Sequence, residues 1–459
     1  MLNSKQLEQE IDQDLVDEST IGPDHYADHL AEVNETQDVI SNTDIVNEQG
    51  ILLCKKGMQI TKKTAARLLQ HKLTEPIENS IKLSNSIDNQ FLYKKLIFIQ
   101  EQYPDMQNIH TQLNFANICK DQFISTLLQP IVIQKLTVMN EQIGEQINKA
   151  VFTAWFSMLI AAEMGLSKQD QKDAFLAGLL HDIGFIHLSP ELLNKKGSLS
   201  AEEWRAIQSH VVIGKLMLEK YDNIPLTVAN AVLEHHERCD GAGYPTNRNE
   251  DNLSVLGQIV GIADSIYAIR TQQFTKHNRT MFDLMPYLQM NAHTYFYDVY
   301  KAVATIIKRT GLKMSVPNSA DIKSMASKTL LRSQALSHAI EYMQSCNVTD
   351  LSSALPNNKG KALFKISQQV IKMTAQSGLV KSELHTWLGD LTRDPDINAV
   401  AELNEIDLML NELHWQLNNA YRSCDSSLQQ TNVSSETLFK LREIYNVVGL
   451  CLGDLEDKL

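Results

Sequence analysis

The stretch HHERCDGAGYP, residues 235–245, places two adjacent histidines directly before a turn that is rich in glycine. His210 precedes this pair, the dipeptide formed by His181 and Asp182 precedes His210, and Asp264 follows the turn. Each interval is about one helix and a turn long, so each group can lie on its own helix and point into one bundle centre. The array therefore predicts a helical bundle built around a shared site.

The array consists of imidazole and carboxylate side chains, which are the ligands that Mn, Fe, Zn or Ni take in proteins. The six cysteines of the chain are scattered, with no CxxC pair, so a thiolate site is not indicated. The array has too many ligands for one tetrahedral ion, but it suits two ions that share a carboxylate. Two such ions are commonly used for phosphate-ester hydrolysis.

The turn after the histidine pair carries two glycines and a proline around Tyr244. Such a turn can bring the backbone close to a bound anion. Taken alone it is an ordinary loop, but directly after a histidine pair it indicates a loop of a functional site.

The chain is predicted to be mainly α-helical and to contain several parts. Most of its net charge of −13 falls in the first 50 residues, which hold thirteen Asp and Glu against one Lys. A short apolar run at 51–54 and a helical pattern after it indicate a small α+β module. The predicted parts are an acidic, disordered arm (1–35), the small α+β module (36–85), a helical domain with the histidine array (89–311) and a helical C-terminal region (328–459).

Two apolar seams with alternating spacings of three and four residues run through the C-terminal region. This spacing places the side chains on one face of a helix. Two interpretations remain open: packing within one bundle, or association with a second copy or a protein partner. The seams are Leu403, Ile406, Leu410, Leu413 and Leu417, and then Leu438, Leu441, Tyr445, Val448, Leu452, Leu455 and Leu459.

Composition argues against some partners and compartments. Residues after position 50 are close to neutral, whereas binding to a nucleic acid polymer or an anionic membrane needs an excess of Lys and Arg. The most apolar stretch, 151–162, is shorter than the ~20 residues that a bilayer crossing needs. The N-terminus has no signal-peptide pattern, and the cysteine usage fits reduced thiols. The expected location is the cytoplasm.

Residues 174–270 resemble the HD-GYP subgroup of the HD metal-dependent phosphohydrolase superfamily. The order and the spacing of the motifs agree throughout this segment. The matching motifs are AGLLHDIG (177–184), LLNKKGSLSAEEW (192–204), HVVIGKLML (210–218), HHERCDGAGYP (235–245) and GIADSIYAI (261–269).

The resemblance implies an HD-type helical bundle that holds two or three divalent ions, iron or manganese, and hydrolyses cyclic di-GMP. His181 and Asp182 would form the catalytic dipeptide, with Asp182 bridging the ions. Cyclic di-GMP would lie against Gly243, Tyr244, Pro245 and Lys276. The metal ligands that the resemblance implies are His181, Asp182, His210, His235, His236 and Asp264. Glu145, one helical turn before position 149, is expected to supply a further oxygen ligand.

Three positions depart from the family pattern. Phe185 stands where the family has a lysine that neutralises charge on the scissile phosphate. Lys149 stands where the family has its first ligand histidine, and an ammonium group cannot ligate a metal. Gln273 stands where the family has an arginine. The prediction is therefore metal binding with slow hydrolysis.

Two other functions remain open at this point. A catalytically weak or inactive module could act as a nucleotide receptor or as a scaffold for a protein partner, and Phe185 and Lys149 favour this reading. An HD hydrolase could instead act on another nucleotide or phosphoester, although the loop at 243–245 argues against it.

Overall fold

The structure, a computed structural model, forms two compact units. None of the described helices is long and apolar enough to span a membrane. One unit comprises Met1–Arg238, Gly243–Gln272 and Lys301–Thr310, and the other comprises Cys239–Ala242, Gln273–Tyr300 and Gly311–Leu459. The described residues are 22–113, 115–197, 199–241, 243–248, 250–275, 279–292, 294–311, 322–345, 358–428 and 434–458.

The end of the predicted acidic arm is a buried helix, so the prediction of a disordered arm is wrong for this part. In α1 (Tyr26–Val33), the side chains of Tyr26 and Leu30 are fully buried. The Tyr26 ring stacks on His187, and the ammonium nitrogen of buried Lys135 lies 4.0 Å from its centroid. These partners are distant in the sequence, so the acidic composition of the segment did not reveal them. Residues 1–21 lie outside the described part of the chain.

The small α+β module consists of short strands and one helix. The strands pair antiparallel in two sheets of two strands, β1 with β4 and β2 with β3. Thr61 caps the helix, because its side-chain oxygen accepts a hydrogen bond from the backbone N–H of Thr64. The elements are β1 (Val39–Ser41), β2 (Ile45–Val46), β3 (Leu52–Cys54), α2 (Lys62–Leu69) and β4 (Ile81–Leu83).

In the region 89–311, which the sequence predicts to be a helical domain, the described secondary structure consists of helices joined by turns and loops. The Ser200 and Glu203 side chains form a capping box that fixes the start of one helix. The helices are α3 (Asn89–Gln102), α4 (Pro104–Gln112), α5 (Ala116–Ser125), α6 (Pro130–Gln142), α7 (Gly144–Glu163), α8 (Lys168–Leu180), α9 (Pro190–Leu193), α10 (Ala201–Gln208), α11 (His210–Leu218), α12 (Leu226–Glu234), α13 (Val255–Ala268), α14 (Leu284–Met290) and α15 (Tyr297–Arg309).

Helix α7 forms the centre of the first unit and supports the site. Its residues from 150 to 161 are all buried, and they include the large side chains of Phe152, Trp155 and Phe156. A helix that is apolar on all sides packs against neighbours on all sides. Helices α8 and α13 both pack on α7. His181, which follows α8, and Asp264, which lies inside α13, are therefore close to α7.

The C-terminal helices pack their two seams against each other inside the second unit. Leu410, Leu413 and Leu417 share one buried cluster with Leu441 and Val448. This packing favours the bundle interpretation of the seams. The side chains of Leu452 and Leu455, and all of Leu459, lie outside the described part. The helices are α16 (Ile322–Ser345), α17 (Asn358–Ser377), α18 (Ser382–Arg393), α19 (Val400–Leu428) and α20 (Ser435–Lys458).

The boundaries of the units and the predicted domains do not coincide. The predicted domain 89–311 is divided, because Gln273–Tyr300 groups with the C-terminal helices. Helix α16 begins at Ile322, which lies before the predicted start of the C-terminal region at residue 328. Ile322, Ala326 and Thr329 are all buried and share one helical face, so packing extends the helix toward the N-terminus.

Candidate metal centre

The side chains of the histidine array project from the ends of separate helices. His181 follows α8 directly and Asp182 comes next, while His210 is the first residue of α11. His235 follows α12 in the same way. Asp264 lies inside α13. The ends of α8, α11 and α12 meet beside Asp264 of α13, and this brings the array together.

Three imidazoles are oriented by the same local hydrogen bond. The Nδ1 atoms of His181, His210 and His235 lie 2.7–2.8 Å from the backbone carbonyl oxygen three residues earlier. A carbonyl oxygen can only accept, so each Nδ1 carries the proton and donates it. In a neutral imidazole, the lone pair is then on Nε2, which is the tautomer that a metal ligand needs.

Asp182 lies at the centre of the array. Its Oδ1 is 3.2 Å from His210 Nε2 and 3.8 Å from His235 Nε2, whereas its Oδ2 is 3.1 Å from His181 Nε2. The carboxylate therefore belongs to two sets of possible ligands. Within each set, the ligand atoms lie within 4.8 Å of one another. The two sets are Asp182, His210, His235 and His236, which we call the four-residue set, and His181, Asp182 and Asp264, which we call the three-residue set.

The four-residue set fits a divalent ion. The Nε2 atoms of His210 and His235 are buried, and neither makes a hydrogen bond, although Asp182 Oδ1 is nearby. Lone pairs that face a carboxylate oxygen at this distance repel each other unless a cation lies between them. Nitrogen and carboxylate oxygen together suit a first-row transition metal.

The charge states of this set agree with metal ligation. Burial and the neighbouring imidazoles hold the pKa of His235 well below its usual range, and burial does the same for the pKa of His236. Both side chains are therefore neutral. Burial alone would raise the pKa of Asp182, but the charges of His181 and Lys149 outweigh it and hold that pKa well below its usual range. Asp182 is therefore ionised.

The three-residue set contains a cation that belongs to the chain. The Lys149 Nζ lies 2.9 Å from Asp182 Oδ2 and 2.7 Å from Asp264 Oδ1. Burial opposes the charge on His181, but the carboxylates of Asp182 and Asp264 outweigh burial and raise the pKa of His181 to about 9. Both carboxylates of this set are thus already paired with positive charge from Lys149 and His181.

Phe185 covers one face of a possible ligand. Its ring stacks on that of His210, with centroids 4.1 Å apart and planes 10° apart. The side chain of Phe185 is 9% exposed. The position therefore presents an apolar surface to the centre, and it brings no charge toward a phosphate.

The glycine-containing loop lies against the histidine pair. Tyr244 is half-buried, and its ring stacks on His236 with centroids 4.6 Å apart. A Cβ atom on Gly243 would lie 2.4 Å from the carbonyl oxygen of His236, so only glycine permits this approach. Pro245 follows Tyr244 on the same loop and is also half-buried.

The predicted additional oxygen ligand is not part of the centre. Glu145 is exposed and belongs to neither set of ligands. Gln273 is exposed as well. Lys276, which was predicted to bind substrate, lies outside the described residues.

Two carboxylates that flank the histidine pair were missed by the sequence analysis. Glu237 is fully buried and accepts hydrogen bonds from the backbone N–H and the hydroxyl of Thr246. Glu234 is buried and accepts from Arg248 Nη1 and from the backbone N–H of Ser254. These two carboxylates, one before and one after the histidine pair, fix the segment that follows the glycine-containing loop. The signal was present in the sequence, because two acids enclose the histidines at the end of an otherwise apolar helix.

Comparisons with known proteins find relatives of the segment that carries the centre. Residues 128–299 match the family model described as HD domain. The chain is 33% identical over 141 residues to 3'3'-cGAMP-specific phosphodiesterase 3 of Vibrio cholerae, covering 31% of this chain and 30% of that protein. It is 36% identical over 128 residues to the cyclic di-GMP phosphodiesterase of Thermotoga maritima, covering 28% of this chain and 35% of that protein.

A solved structure of a cyclic GMP-AMP specific phosphodiesterase from V. cholerae aligns with 68% of this chain and 96% of that chain, at 11% identity and a TM-score of 0.30. The chain spans about a third of the length of the two curated relatives named above. A helical domain with a His/Asp centre is thus defined by the fold and the site. Residues 128–299 match the HD domain model, and the motifs in this segment are similar to those of HD-GYP proteins.

Proposed function

We propose that this chain is a divalent-metal-dependent phosphodiesterase that hydrolyses a cyclic dinucleotide, with cyclic di-GMP as the substrate. The observation that carries the proposal is the four-residue set, in which three imidazoles surround an ionised Asp182 beside the loop of Tyr244. The names of the curated relatives, which act on cyclic di-GMP or 3'3'-cGAMP, support the class of substrate.

An ion in this set, iron or manganese by the chemistry of its ligands, would polarise a phosphoryl oxygen and activate a bound water. Asp182 supplies the negative charge that retains the ion, and the Nδ1 hydrogen bonds fix the ring orientations of His210 and His235. Glu237 and Glu234 hold the loop beside the centre.

The loop would contact the substrate. Burial raises the pKa of Tyr244 well above its usual range, so its phenol stays protonated and can donate a hydrogen bond to a phosphate oxygen. Gly243 and Pro245 leave the backbone close to the histidine pair, with little side-chain bulk. We assign the binding of the dinucleotide to these three residues.

Slow turnover is part of the proposal. A positive charge beside a phosphate stabilises the charge that develops during hydrolysis, and the loss of one such group costs ~10²–10³ in rate. Phe185 supplies no charge at its position on His210. Binding of the dinucleotide does not depend on that charge to the same extent.

The experiment is to load the purified chain with Mn²⁺ or Fe²⁺, incubate it with cyclic di-GMP, and separate the products by chromatography. We expect a linear dinucleotide or GMP to form slowly, and 3'3'-cGAMP serves as the competing substrate. Asp182→Ala should form no product and retain no ion. A wild-type chain that binds the ion but releases no product from either dinucleotide would contradict the proposal.

A second function is favoured by the apolar surface of Phe185, namely a receptor that binds a cyclic dinucleotide without turnover. Calorimetric binding of cyclic di-GMP to the metal-loaded chain separates the two functions. Binding without any product formation over a long incubation would assign the chain to the receptor class.

A further inference from the structure

The two oxygens of Asp182 face different surroundings. Oδ1 faces the Nε2 atoms of His210 and His235, which make no hydrogen bonds. Oδ2 faces Lys149 Nζ at 2.9 Å. In a centre with two ions, each oxygen of this carboxylate would have to meet its own ion. The Nε2 atom of His181, 3.1 Å from Oδ2, makes no hydrogen bond either, but Oδ2 differs from Oδ1 in having the ammonium nitrogen of Lys149 beside it.

Lys149 projects from α7 into the three-residue set. Its Nζ is within hydrogen-bond distance of Asp182 Oδ2 and of Asp264 Oδ1, which are the oxygens that an ion in this set would need. An ion bonded to either oxygen at about 2.1 Å would lie within about 5 Å of the lysine nitrogen. Two cations repel each other strongly at that separation in a buried site. An ammonium group also has no lone pair to offer the ion.

The three-residue set therefore does not fit a metal ion, although the four-residue set does. We propose that the ammonium group of Lys149 takes the place of a second metal ion, so that the chain binds one divalent ion, in the four-residue set. This inference rests on the metal centre of the proposed function. It replaces the two or three ions that the sequence predicts with one ion and one fixed organic cation.

The arrangement changes what Asp182 and Asp264 do. Asp182 connects an ion to an ammonium group, rather than connecting two ions. Asp264 is a partner of Lys149 and not a metal ligand, so it positions the lysine. The positive charge on this side of the centre is then independent of the metal supply. It cannot activate water as an ion does, which is consistent with slow turnover.

The test is the binding of Mn²⁺ alone to the full-length chain after treatment with a chelator. We expect equilibrium dialysis with elemental analysis to give one ion per chain. The electron paramagnetic resonance spectrum should be that of an isolated Mn²⁺. Two tightly bound ions per chain, with a spectrum broadened by exchange coupling between neighbouring ions, would overturn the inference. The absence of tight binding would overturn it as well.

Substitutions locate the ion. His210→Ala removes a ligand of the four-residue set and should abolish tight binding. Asp264→Asn removes only a partner of Lys149, so it should leave one ion in place, whereas a site with two ions would lose one. Lys149→His should raise the stoichiometry to two, and Lys149→Met is the matched control, because it removes the charge without adding a ligand. If Lys149→His and Lys149→Met both retain a single ion, the inference fails.

Failure of this inference is distinguishable from failure of the proposed function. Two bound ions with product formation would leave the phosphodiesterase intact and remove the role given to Lys149. One bound ion without product formation would support the inference and contradict the phosphodiesterase. Measurements on the wild-type chain decide both questions, even if a variant does not fold.

Discussion

Phe185 and His210 form a pair in which an aromatic ring fixes a possible metal ligand. The nearly parallel stack holds the imidazole from one face, while the Nδ1 hydrogen bond to Ile207 holds it in plane. The ring is thus well oriented for binding an ion. The same phenyl ring provides no positive charge for a bound phosphate. Substitution of Phe185 can separate its effect on the His210 ring from its effect on charge.

Phe185→Lys should increase the turnover number for cyclic di-GMP. An ammonium group near the phosphate would supply the missing stabilisation, for which the upper limit is ~10²–10³ in rate. Phe185→Met is the control, since it keeps an apolar side chain of similar length and adds no charge. Steady-state kinetics of the three proteins decide the matter. Fast hydrolysis by the wild-type chain that falls in Phe185→Lys would show that another group stabilises the transition state.

Among the single elements, helix α19 contains a buried carboxyl group, that of Glu412, inside the second unit. Glu412 is 6% exposed and accepts hydrogen bonds from Asn291 Nδ2 and Gln416 Nε2, both at 2.9 Å. Burial outweighs these hydrogen bonds and raises the pKa of Glu412 to about 7. Under mildly acidic conditions the side chain of Glu412 is therefore protonated in the folded chain, whereas it is ionised in the unfolded chain.

The free energy of unfolding should fall as the pH rises from about 4.5 to about 7. In the unfolded chain Glu412 ionises near its ordinary pKa of 4.5, so the folded chain binds more protons between pH 4.5 and about 7. Its contribution is complete below this window and is lost above it, with a magnitude on the order of 3 kcal/mol. Glu412→Gln should remove that part of the pH dependence.

Urea unfolding at pH 5 and pH 8 measures this effect. Glu402→Gln is the matched control, because Glu402 lies on the same helix and is exposed. We expect the control to follow the wild-type chain at both values, while Glu412→Gln loses less stability between them. Identical behaviour of Glu412→Gln and the wild-type chain would mean that Glu412 ionises in the folded state without cost.

At the scale of the whole molecule, bound metal should stabilise the chain. An ion that binds only the folded state at a hundred times its dissociation constant adds about 2.7 kcal/mol to the free energy of unfolding. The melting temperature of the wild-type chain and of Asp264→Asn should therefore rise with Mn²⁺, and that of His210→Ala should not. Scanning calorimetry with and without the ion provides the measurement. An equal rise in all three proteins would place the ion elsewhere.

The local sequence was sufficient for most of the architecture. Helices, caps and short strands depend on side chains a few residues apart, so their periodicity is visible in the chain itself, as at Thr61 and Ser200. The order and the spacing of the histidine motifs likewise depend on helix lengths. They were enough to predict that His181, His210 and His235 meet at one centre, and the structure brings them together around Asp182.

Other features depend on contacts between distant segments, which no local pattern encodes. The burial of α1 follows from the contact of Tyr26 with Lys135 and His187. The sequence could place Lys149 at a ligand position, but only the packing of α7 beside Asp182 and Asp264 decides which oxygens its ammonium group meets. Hydrogen bonds and ion pairs act over a few ångströms. The sequence therefore determined which groups are available, and the tertiary structure decided which of them are in contact.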